Sequence, residues 1–287
     1  MARIAYVNGR YVAHRKAAVH VEDRGYQFAD GVYEVIAVRA GRFIDAEPHL
    51  DRLDRSLGAL RIATPMSRSA LYHILHEVMY RNRIENGIVY LQVTRGVARR
   101  DHPFPAKAKT ALVVTGSRKS PLDSRILETG VNAISVLDNR WKHCNIKSIS
   151  LLPNVLAKQA AREADAYEAV FVDEEGFVTE GSSTNVWIVT SGGELLTRDL
   201  DHGILAGVTR ETVSKLAEHL RLAFAERRFT LEEARGAREA FVTSATSCVT
   251  PVVRIDEAII GNGEPGSTAR ALFEAYARYM EGGDAAA

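Results

Sequence analysis

The chain has 287 residues, of which 46% are hydrophobic and 25% are charged. This composition is typical of a globular protein long enough for two domains, and it argues against a disordered chain. Lysine and arginine number 37 against 36 aspartates and glutamates, so the charge balance gives no electrostatic reason to expect nucleic acid or an anionic membrane as a partner. We therefore expect a small-molecule ligand.

The cysteine count and the N-terminus bear on location. Cys144 and Cys248 are the two cysteines, and they form neither a disulfide framework nor a zinc motif, so we expect no metal site and a reducing cytoplasm. The N-terminal stretch "MARIAYVNGRYV" lacks the apolar segment of a secretion signal, and no apolar run approaches the roughly 18 residues of a membrane span. The sequence thus predicts a cytoplasmic protein without a membrane partner.

The first part of the chain combines strand and helix patterns. Two hairpins are predicted, in "IAYVNGRYV" and "GVYEVIAVRAGRFI". Helical periodicity follows in "EPHLDRLDRSLGALRI" and "SRSALYHILHEVMYRNRI", and two strands, "GIVYLQVTRG" and "TALVVTGS", end the unit. Ser120–Pro121 interrupts the pattern, so we predict an N-terminal α+β domain over residues 1–120.

Residues 121–287 predict a second α+β domain. Its helices are expected from about Pro153 through Ala164, in "VTRETVSKLAEHL" and in "STARALFEAYARYM", with strands between them. The letters "GNGEPG" match the dinucleotide fingerprint, but no second strand follows to complete a βαβ unit, so we interpret them as a hairpin turn. The predicted fold class is α+β in two domains, with the ligand in the cleft between them.

Lys147, in "CNIKSISLLPN", is a candidate nucleophile. Ile146 and Ile149 beside it predict partial burial, which favours the neutral amine that attacks aldehydes. A lysine whose stem packs at a strand end explains the same pattern. Lys158 lies in "LAKQAA", where its spacing indicates a solvated helix residue.

Two further segments suit a phosphorylated ring. Glu180 ends a strand and is followed by "GSSTN", so its carboxylate could pair with a protonated ring nitrogen or cap a turn. Val208 and Thr209 open a helix whose backbone N–H groups and dipole suit a phosphate, or which is simply capped there. The small-hydroxyl loop "TSATSCVTP" and the cation of Arg52 could add phosphate ligands.

Together these segments resemble the fold-type IV pyridoxal-phosphate enzymes, which include D-amino-acid, branched-chain and aminodeoxychorismate enzymes. The resemblance runs from "EDRGYQFADGVYEV" through "HLDRL", "IKSISLLPNVLAKQ", "TEGSSTNVW" and "GVTRETV" to "FVTSATSCVTPV". It implies pyridoxal 5'-phosphate as cofactor and Lys147 as the Schiff-base lysine that also moves the substrate proton. It further implies cofactor contacts from Glu180 to the pyridine nitrogen, from Arg140 to the phenolic oxygen, from Leu205 to the ring, and from Arg52, Val208, Thr209 and Ser244 to the phosphate.

One residue departs from the family pattern. Ala245 stands where many relatives have a phosphate-binding threonine, so only its backbone N–H could serve there unless Thr246 compensates. The chemistry that the resemblance implies is a ping-pong transamination between an amino acid and a 2-oxo acid.

The stretch "GVARRDHPFP" bears on the substrate. Arg100 and His102 lie two residues apart, so in an extended segment both would point to one face and could bind a carboxylate; a solvated loop is the plainer interpretation. The Arg-x-His pattern is similar to the carboxylate trap of D-amino-acid aminotransferases. That resemblance makes Tyr33, Val35 and His49 further substrate-site residues, and it implies that Arg100 and His102 reach the neighbouring active site of a homodimer.

The sequence therefore predicts a D-amino-acid transaminase acting on substrates such as D-alanine and 2-oxoglutarate. A branched-chain L-amino-acid or (R)-amine transaminase of the same fold is the alternative, followed by an aminodeoxychorismate lyase. A cofactor-free binding module that keeps the fold is the non-enzyme alternative.

Overall fold

A computed structural model of the chain describes residues 3–120 and 125–282. The chain divides into two compact units: the first contains the described residues up to 120 together with Ile146–Ser150, and the second contains the remainder. Both units mix helices and sheet, which confirms the predicted fold class. The predicted boundary at Ser120–Pro121 runs into residues 121–124, which lie outside the described residues.

Six strands of the described first unit form one antiparallel sheet, in the order β2-β1-β6-β5-β3-β4. The strands are β1 (Ile4–Val7), β2 (Arg10–Ala13), β3 (Gly31–Arg39), β4 (Arg42–Phe43), β5 (Gly87–Thr94) and β6 (Ala111–Arg118). The helices are α1 (Arg24–Phe28), α2 (Ala46–Ala59) and α3 (Arg68–Arg81), with a 3-10 turn at His14–Lys16. The hairpins and the two long helices lie where the sequence predicts them.

The core of this unit lies between one face of the sheet and the helices α2 and α3. Leu50, Leu53 and Leu57 recur at helical spacing along α2, and each is 1% exposed. They pack with the side chains of β3 that point to the same face, Val32 and Ile36 among them. Burying each such side chain contributes about 2 kcal/mol, so this face fixes how α2 lies on the sheet.

The segment Ile146–Ser150 belongs to this first unit although it lies within the predicted second domain. Backbone hydrogen bonds join Tyr33 N to Lys147 O (3.1 Å) and Ile149 N to Gly31 O (3.1 Å). A β-carbon on Gly31 would lie 2.7 Å from the carbonyl oxygen of Val93, so only glycine allows strands and segment to approach this closely. The attachment is long-range, which is why sequence periodicity did not indicate it.

Nine strands of the described second unit form a mixed sheet, in the order β12-β11-β10-β13-β14-β7-β8-β9, with β15 paired to β14. They are β7 (Val131–Leu137), β8 (Glu168–Val172), β9 (Val178–Gly181), β10 (Asn185–Val189), β11 (Leu195–Thr197), β12 (Phe224–Glu226), β13 (Glu239–Ser244), β14 (Cys248–Ile255) and β15 (Ala258–Ile259). The helices are α4 (Ile126–Thr129), α5 (Leu152–Glu163), α6 (Val208–His219), α7 (Leu231–Arg235) and α8 (Ser267–Met280).

Aromatic stacking forms part of the second unit's core. The ring of Trp187 stacks on that of Phe241 with centroids 5.6 Å apart, and its indole N–H donates to the Thr243 hydroxyl at 3.0 Å. This bond satisfies the one polar atom of a fully buried tryptophan. Since β10 and β13 pair in this region, the stack fixes two strands that adjoin candidate cofactor-binding segments: "GSSTN" runs into β10, and the loop of Ser244 follows β13.

The prediction of a hairpin turn at "GNGEPG" is wrong, because this segment does not join two strands. The hairpin joins β14 to β15 at an earlier point, with Asp256 in the left-handed region at φ 52°. The glycine-rich letters instead connect β15 to α8. Among the described residues, no helix is long and apolar enough to cross a bilayer, and no group of histidine, cysteine and carboxylate side chains is arranged to bind a metal.

Candidate active site

Lys147 is half-buried and lies over the ring of Tyr33. Its Nζ is 4.3 Å from the ring centroid, and its backbone N–H donates to the Ser56 hydroxyl of α2 at 3.2 Å. With the backbone bond from Tyr33 N to Lys147 O, the lysine is held at both its main chain and its amine. An amine fixed next to a phenol on a rigid strand has the geometry that a nucleophile and proton carrier needs.

Tyr33 and Val35 occupy the face of β3 that points away from the helices, because side chains alternate along a strand. The ring of Tyr33 stacks on that of Tyr90 from β5, with centroids 5.7 Å apart. Burial raises the pKa of Tyr90 to about 12, so the phenol stays protonated, and it donates to Gln92 at 2.6 Å. The sheet thus presents neutral aromatic surface beside the lysine.

Glu34 lies on the opposite, core-facing side of β3 and is fully buried. Its Oε1 accepts from Arg52 Nε and its Oε2 from Arg52 Nη2, both at 2.8 Å. Burial alone would raise the pKa of the Glu34 carboxyl, but the charge and hydrogen bonds of Arg52 hold it at about 2. The pair is bidentate, so the guanidinium plane of Arg52 has one orientation.

His49 completes this cluster from one helical turn before Arg52. Its Nδ1 lies 2.7 Å from Glu34 Oε2, and burial lowers the pKa of the imidazole against the raising effect of that carboxylate. The ring is therefore neutral near pH 7, with its proton on Nδ1 where Glu34 accepts it, and its Nε2 is an acceptor. Sequence reasoning put His49 and Arg52 in the site but missed Glu34, their common partner.

Arg100 and His102 lie in an exposed loop between β5 and β6. Both contact the ring of Phe28 in α1: the guanidinium carbon of Arg100 is 5.0 Å from the ring centroid, and the His102 ring is centred 5.5 Å from it. The two side chains therefore gather on one ring. In the described part of the chain, the ring contacts of the two side chains are with Phe28 and involve neither Lys147 nor Tyr33.

In the second unit, Glu180 is buried at the end of β9. Its Oε2 accepts from the backbone N–H of Leu205 at 3.0 Å and from Asn185 Nδ2 at 3.4 Å. The Asn185 amide also donates to the Leu205 carbonyl at 3.0 Å, so it joins strand β10 to the loop before α6. These contacts fix the carboxylate predicted to meet the pyridine nitrogen, together with the residue predicted to lie against the ring.

Arg140 pairs with Glu180, whose Oε1 accepts from Nη1 in a short contact. Its Nε and Nη2 donate to the two carboxylate oxygens of Asp138 at 2.9 and 2.6 Å. Burial would raise the pKa of Asp138, but the Arg140 hydrogen bonds hold it below its usual range. Arg140 therefore lies between two carboxylates; its predicted contact with a phenolic oxygen stays a prediction.

The start of α6 offers backbone donors. Gly207 is the N-cap residue and provides no side chain to cap the first turn, where Val208 and Thr209 are buried. A β-carbon on Gly207 would lie 2.0 Å from Asn185 Oδ1, so glycine is needed for this close approach. The first N–H groups of the helix and its dipole favour an anion here, as a phosphate requires.

A second loop, between β13 and β14, gathers hydroxyl groups around Ser244. The Ser244 hydroxyl lies 2.8 Å from that of Ser247 and 3.2 Å from that of Thr246, and it accepts from Ser247 N at 3.2 Å. Ala245 at the turn is half-buried. A hydroxyl from Thr246 therefore lies beside Ser244, and Ser247, which sequence reasoning missed, is closer still.

Lys158 belongs neither to the candidate residue set around Lys147 in the first unit nor to the candidate residue set around Glu180 in the second unit. Its amine contacts the Tyr167 carbonyl and lies 3.3 Å from Glu168, on the partly exposed side of α5. This placement agrees with the interpretation of Lys158 as a helix-surface residue and leaves Lys147 as the candidate nucleophile.

Comparison with known proteins supplies the family. The model of the family described as amino-transferase class IV matches residues 31–255. D-alanine aminotransferase of Staphylococcus aureus (strain MSSA476) is 38% identical over 278 residues, covering 96% of this chain and 97% of that protein. D-alanine aminotransferase of Bacillus licheniformis is 40% identical over 259 residues, covering 90% of each.

Solved structures agree on the fold. The branched-chain aminotransferase of Thermoproteus uzoniensis with norvaline has a TM-score of 0.85 at 26% identity, covering 99% of this chain and 96% of that one. A branched-chain amino acid aminotransferase solved with pyridoxamine 5'-phosphate has a TM-score of 0.89 at 26% identity, covering 98% of this chain and 95% of that one. The family match spans both candidate residue sets, from the start of β3 to the end of β14. The chain belongs to the class IV aminotransferase family.

Proposed function

We propose that the protein transfers amino groups between D-amino acids, such as D-alanine, and 2-oxo acids, such as 2-oxoglutarate, with pyridoxal 5'-phosphate as cofactor. The observation that carries the proposal is Lys147, a half-buried amine held over Tyr33 at 4.3 Å. The relatives at 38 and 40% identity are D-alanine aminotransferases, which favours a D-amino acid as the donor.

The residues present fit the cofactor. A phosphorylated pyridine aldehyde needs an amine, a carboxylate at the ring nitrogen and ligands for a dianion. Lys147 supplies the amine and Glu180 the carboxylate, and the start of α6, which has no side-chain cap, offers backbone N–H groups to a phosphate. Arg52, Thr209, Ser244 and the backbone of Val208 and Ala245 complete the phosphate ligands. That both residue sets serve one cofactor molecule is part of the proposal.

The bound cofactor supplies an aldehyde that condenses with amines and a ring that takes up the electron pair left when the substrate loses its α-proton. Lys147 would move that proton, and its amine lies close enough to the Tyr33 ring to be oriented by it. Glu180 keeps the ring nitrogen protonated. Asp138 offsets the positive charge of Arg140, so the cluster of Asp138, Arg140 and Glu180 carries one net negative charge, which favours a protonated ring nitrogen beside Glu180.

The substrate carboxylate is assigned to Arg100, His102 and Tyr33. A guanidinium and an imidazole can bind a carboxylate through charge-assisted hydrogen bonds, and both gather on the Phe28 ring. From the resemblance to D-amino-acid aminotransferases we assign both residues to the neighbouring site of a homodimer. His49, through its acceptor Nε2, and Val35, on the wall beside Tyr33, complete the substrate side.

Exposed apolar side chains support the homodimer. In the described second unit Leu152, Val155 and Leu156, at helical spacing along one face of α5, are 58 to 69% exposed. Exposed apolar surface of this kind marks interaction sites, and a symmetric dimer is the commonest assembly that covers it. Cys144 and Cys248 are both reduced thiols, which favours the reducing cytoplasm as the compartment.

Paired rates test this function. Purified protein loaded with pyridoxal phosphate is expected to convert D-alanine and 2-oxoglutarate far faster than L-alanine, L-leucine or an (R)-amine. Turnover of L-leucine without D-alanine would instead support the branched-chain alternative, which the fold of the Thermoproteus uzoniensis enzyme also accommodates. Pyruvate release from aminodeoxychorismate would indicate the lyase, and a protein that stays colourless with the cofactor would not be an enzyme of this kind.

A further inference from the structure

Arg24 holds the backbone of the loop that carries Arg100 and His102. This arginine begins α1 and is 3% exposed. Its Nη1 donates to the carbonyl of Asp101 at 2.5 Å and its Nη2 to the carbonyl of His102 at 3.2 Å. Two donors of a single buried guanidinium thus fix consecutive peptide groups of an exposed loop.

The other edge of the Arg24 guanidinium is bound to Asp30. Arg24 Nε donates to Asp30 Oδ2 at 2.8 Å, and Arg95 donates to both oxygens of the same carboxylate, at 2.7 and 3.0 Å. Arg95 also donates to the carbonyls of Leu60 and Arg61, which anchors the cluster to the end of α2. Arg24 is therefore tied to the rigid part of the unit, and Asp30 would keep Arg95 as a partner without it.

The Phe28 ring links the same guanidinium to the two loop side chains. The guanidinium carbon of Arg24 lies 4.8 Å from the ring centroid, that of Arg100 lies at 5.0 Å, and the His102 ring is centred 5.5 Å away. Arg24 thus fixes the loop at its backbone, and Phe28 provides the surface on which both side chains rest. Arg100 and His102 are exposed and have few other restraints.

Only an arginine makes this set of bonds. Its donors lie in one plane, so it can bind Asp30 through Nε and two carbonyls through the terminal nitrogens, whereas a lysine ammonium is a single point of attachment. An exposed loop without such an anchor would have to be ordered when the substrate binds, and that ordering weakens binding.

We propose that Arg24 is a positioning residue that holds Arg100 and His102 ready for the substrate carboxylate. The inference rests on the proposed function, in which those two residues bind that carboxylate. Removing Arg24 then weakens substrate binding without changing the cofactor site. For Arg24→Met we expect KM for D-alanine to rise by about tenfold to a hundredfold, the range for a misplaced binding group, while kcat changes little.

The test is a double-mutant cycle on the loaded enzyme. KM and kcat are measured for the wild type, Arg24→Met, the double variant Arg100→Ala with His102→Ala, and the triple variant. If Arg24 acts through the loop side chains, its substitution has no further effect on KM once they are gone. Visible absorption and the dissociation constant of the cofactor are expected to match the wild type in every variant.

A stability control and a milder variant keep the result interpretable. Asn82→Ala removes three side-chain bonds to backbone in the first unit, with Ile4 N and Ile4 O at 2.9 Å each and with Val78 O at 2.7 Å, but it lies away from the loop, so its KM should not move. Arg24→Lys keeps the charge and carries the test if Arg24→Met does not fold. Because a lysine ammonium loses at least one of the two carbonyl bonds, KM should rise at least about fivefold.

The outcomes separate the two levels of argument. If the double variant Arg100→Ala with His102→Ala raises KM while both Arg24 variants leave it unchanged, the positioning role is wrong and the carboxylate assignment stands. If the effect of Arg24→Met persists in full in the triple variant, Arg24 is a structural residue only. If the Arg100→Ala and His102→Ala variant binds D-alanine normally, the carboxylate assignment itself fails, and the role of Arg24 fails with it.

Discussion

Glu34 and Arg52 form a bidentate ion pair in the interior of the first unit, with Nε–Oε1 and Nη2–Oε2 distances of 2.8 Å each. The carboxylate accepts along one edge of the guanidinium, so the remaining N–H groups of Arg52 have a defined direction. A residue proposed to bind phosphate is in this way oriented by a strand residue that touches no ligand in the proposal. In the second unit Asp138 orients Arg140 in the same way, by accepting hydrogen bonds from its Nε and Nη2.

Replacing Glu34 tests this orientation. In Glu34→Gln one acceptor becomes an amide donor, so a buried N–H of Arg52 or His49 loses its partner and the guanidinium loses its fixed direction. We expect the free energy of unfolding to fall by about 3 kcal/mol and cofactor affinity to fall about tenfold. Urea unfolding of the apoprotein and cofactor titration by fluorescence measure the two effects.

Two comparisons show whether the loss concerns the phosphate. Pyridoxal, which lacks it, should bind wild type and Glu34→Gln with similar affinity. Glu77→Gln, which breaks the exposed pair with Arg81, should cost less than about 1 kcal/mol and leave cofactor binding alone. Equal weakening of pyridoxal and its phosphate by Glu34→Gln would mean that the cluster supports the fold only.

Acid should destabilise the protein through the same cluster. The pKa of Glu34 is about 2 when folded against an ordinary 4.5, so as pH falls below about 4.5 the unfolded chain binds a proton that the folded chain refuses. The pair's contribution is fully present above about pH 4.5 and is lost towards pH 2, on the order of 3 kcal/mol.

His49 acts in the same direction at higher pH. Burial lowers its pKa when folded, so below about pH 6.5 the unfolded chain again binds the extra proton. Urea unfolding across this range should show stability falling below about pH 6.5 and more steeply below about 4.5. Glu34→Gln should flatten the lower part of the curve, and an unchanged slope there would contradict the assignment to Glu34.

Much of this architecture follows from periodicity. The apolar spacing of "STARALFEAYARYM" predicts α8 over Ser267–Met280, as observed, because a continuous amphipathic pattern is a local property. The five-residue α1 is too short to show a period. The sequence also indicates residues whose role depends on a particular functional group, such as the amine of Lys147 and the carboxylate of Glu180, through the residues beside them and the family resemblance.

The hydrogen-bond partners of the charged residues could not be predicted from the sequence, for a physical reason. Arg24 donates to Asp101, 77 positions away, and Arg140 to Glu180, 40 positions away. No local pattern relates residues that only tertiary packing brings together. A signal for Glu34 was present, since it occupies a core-facing position between Val32 and Ile36, where an unpaired charge would be too costly.

Asp138 should tune Glu180 through Arg140. In Asp138→Asn the full charge of Arg140 falls on Glu180, whose carboxylate then stabilises a protonated ring nitrogen less well. We expect kcat to fall about tenfold with little change in KM, and the visible absorption of the loaded enzyme to change its pH dependence. Asp256→Asn, which alters a carboxylate paired with Arg235, is the matched control and should leave both unchanged. Altered KM with normal absorption would place Asp138 outside the cofactor site.

Mixed dimers test whether Arg100 and His102 act across subunits. Lys147→Ala and Arg100→Ala should each be nearly inactive at low D-alanine, but refolded together they form heterodimers in which one site has both Lys147 and the partner subunit's Arg100. A random mixture should recover about a quarter of the wild-type activity. The mixture of Lys147→Ala with Glu180→Ala should recover no activity if one chain supplies both residues to the same cofactor, because each site then lacks one of them. Failure of the first mixture, with heterodimers verified by differential tagging, would mean that Arg100 serves the site of its own chain.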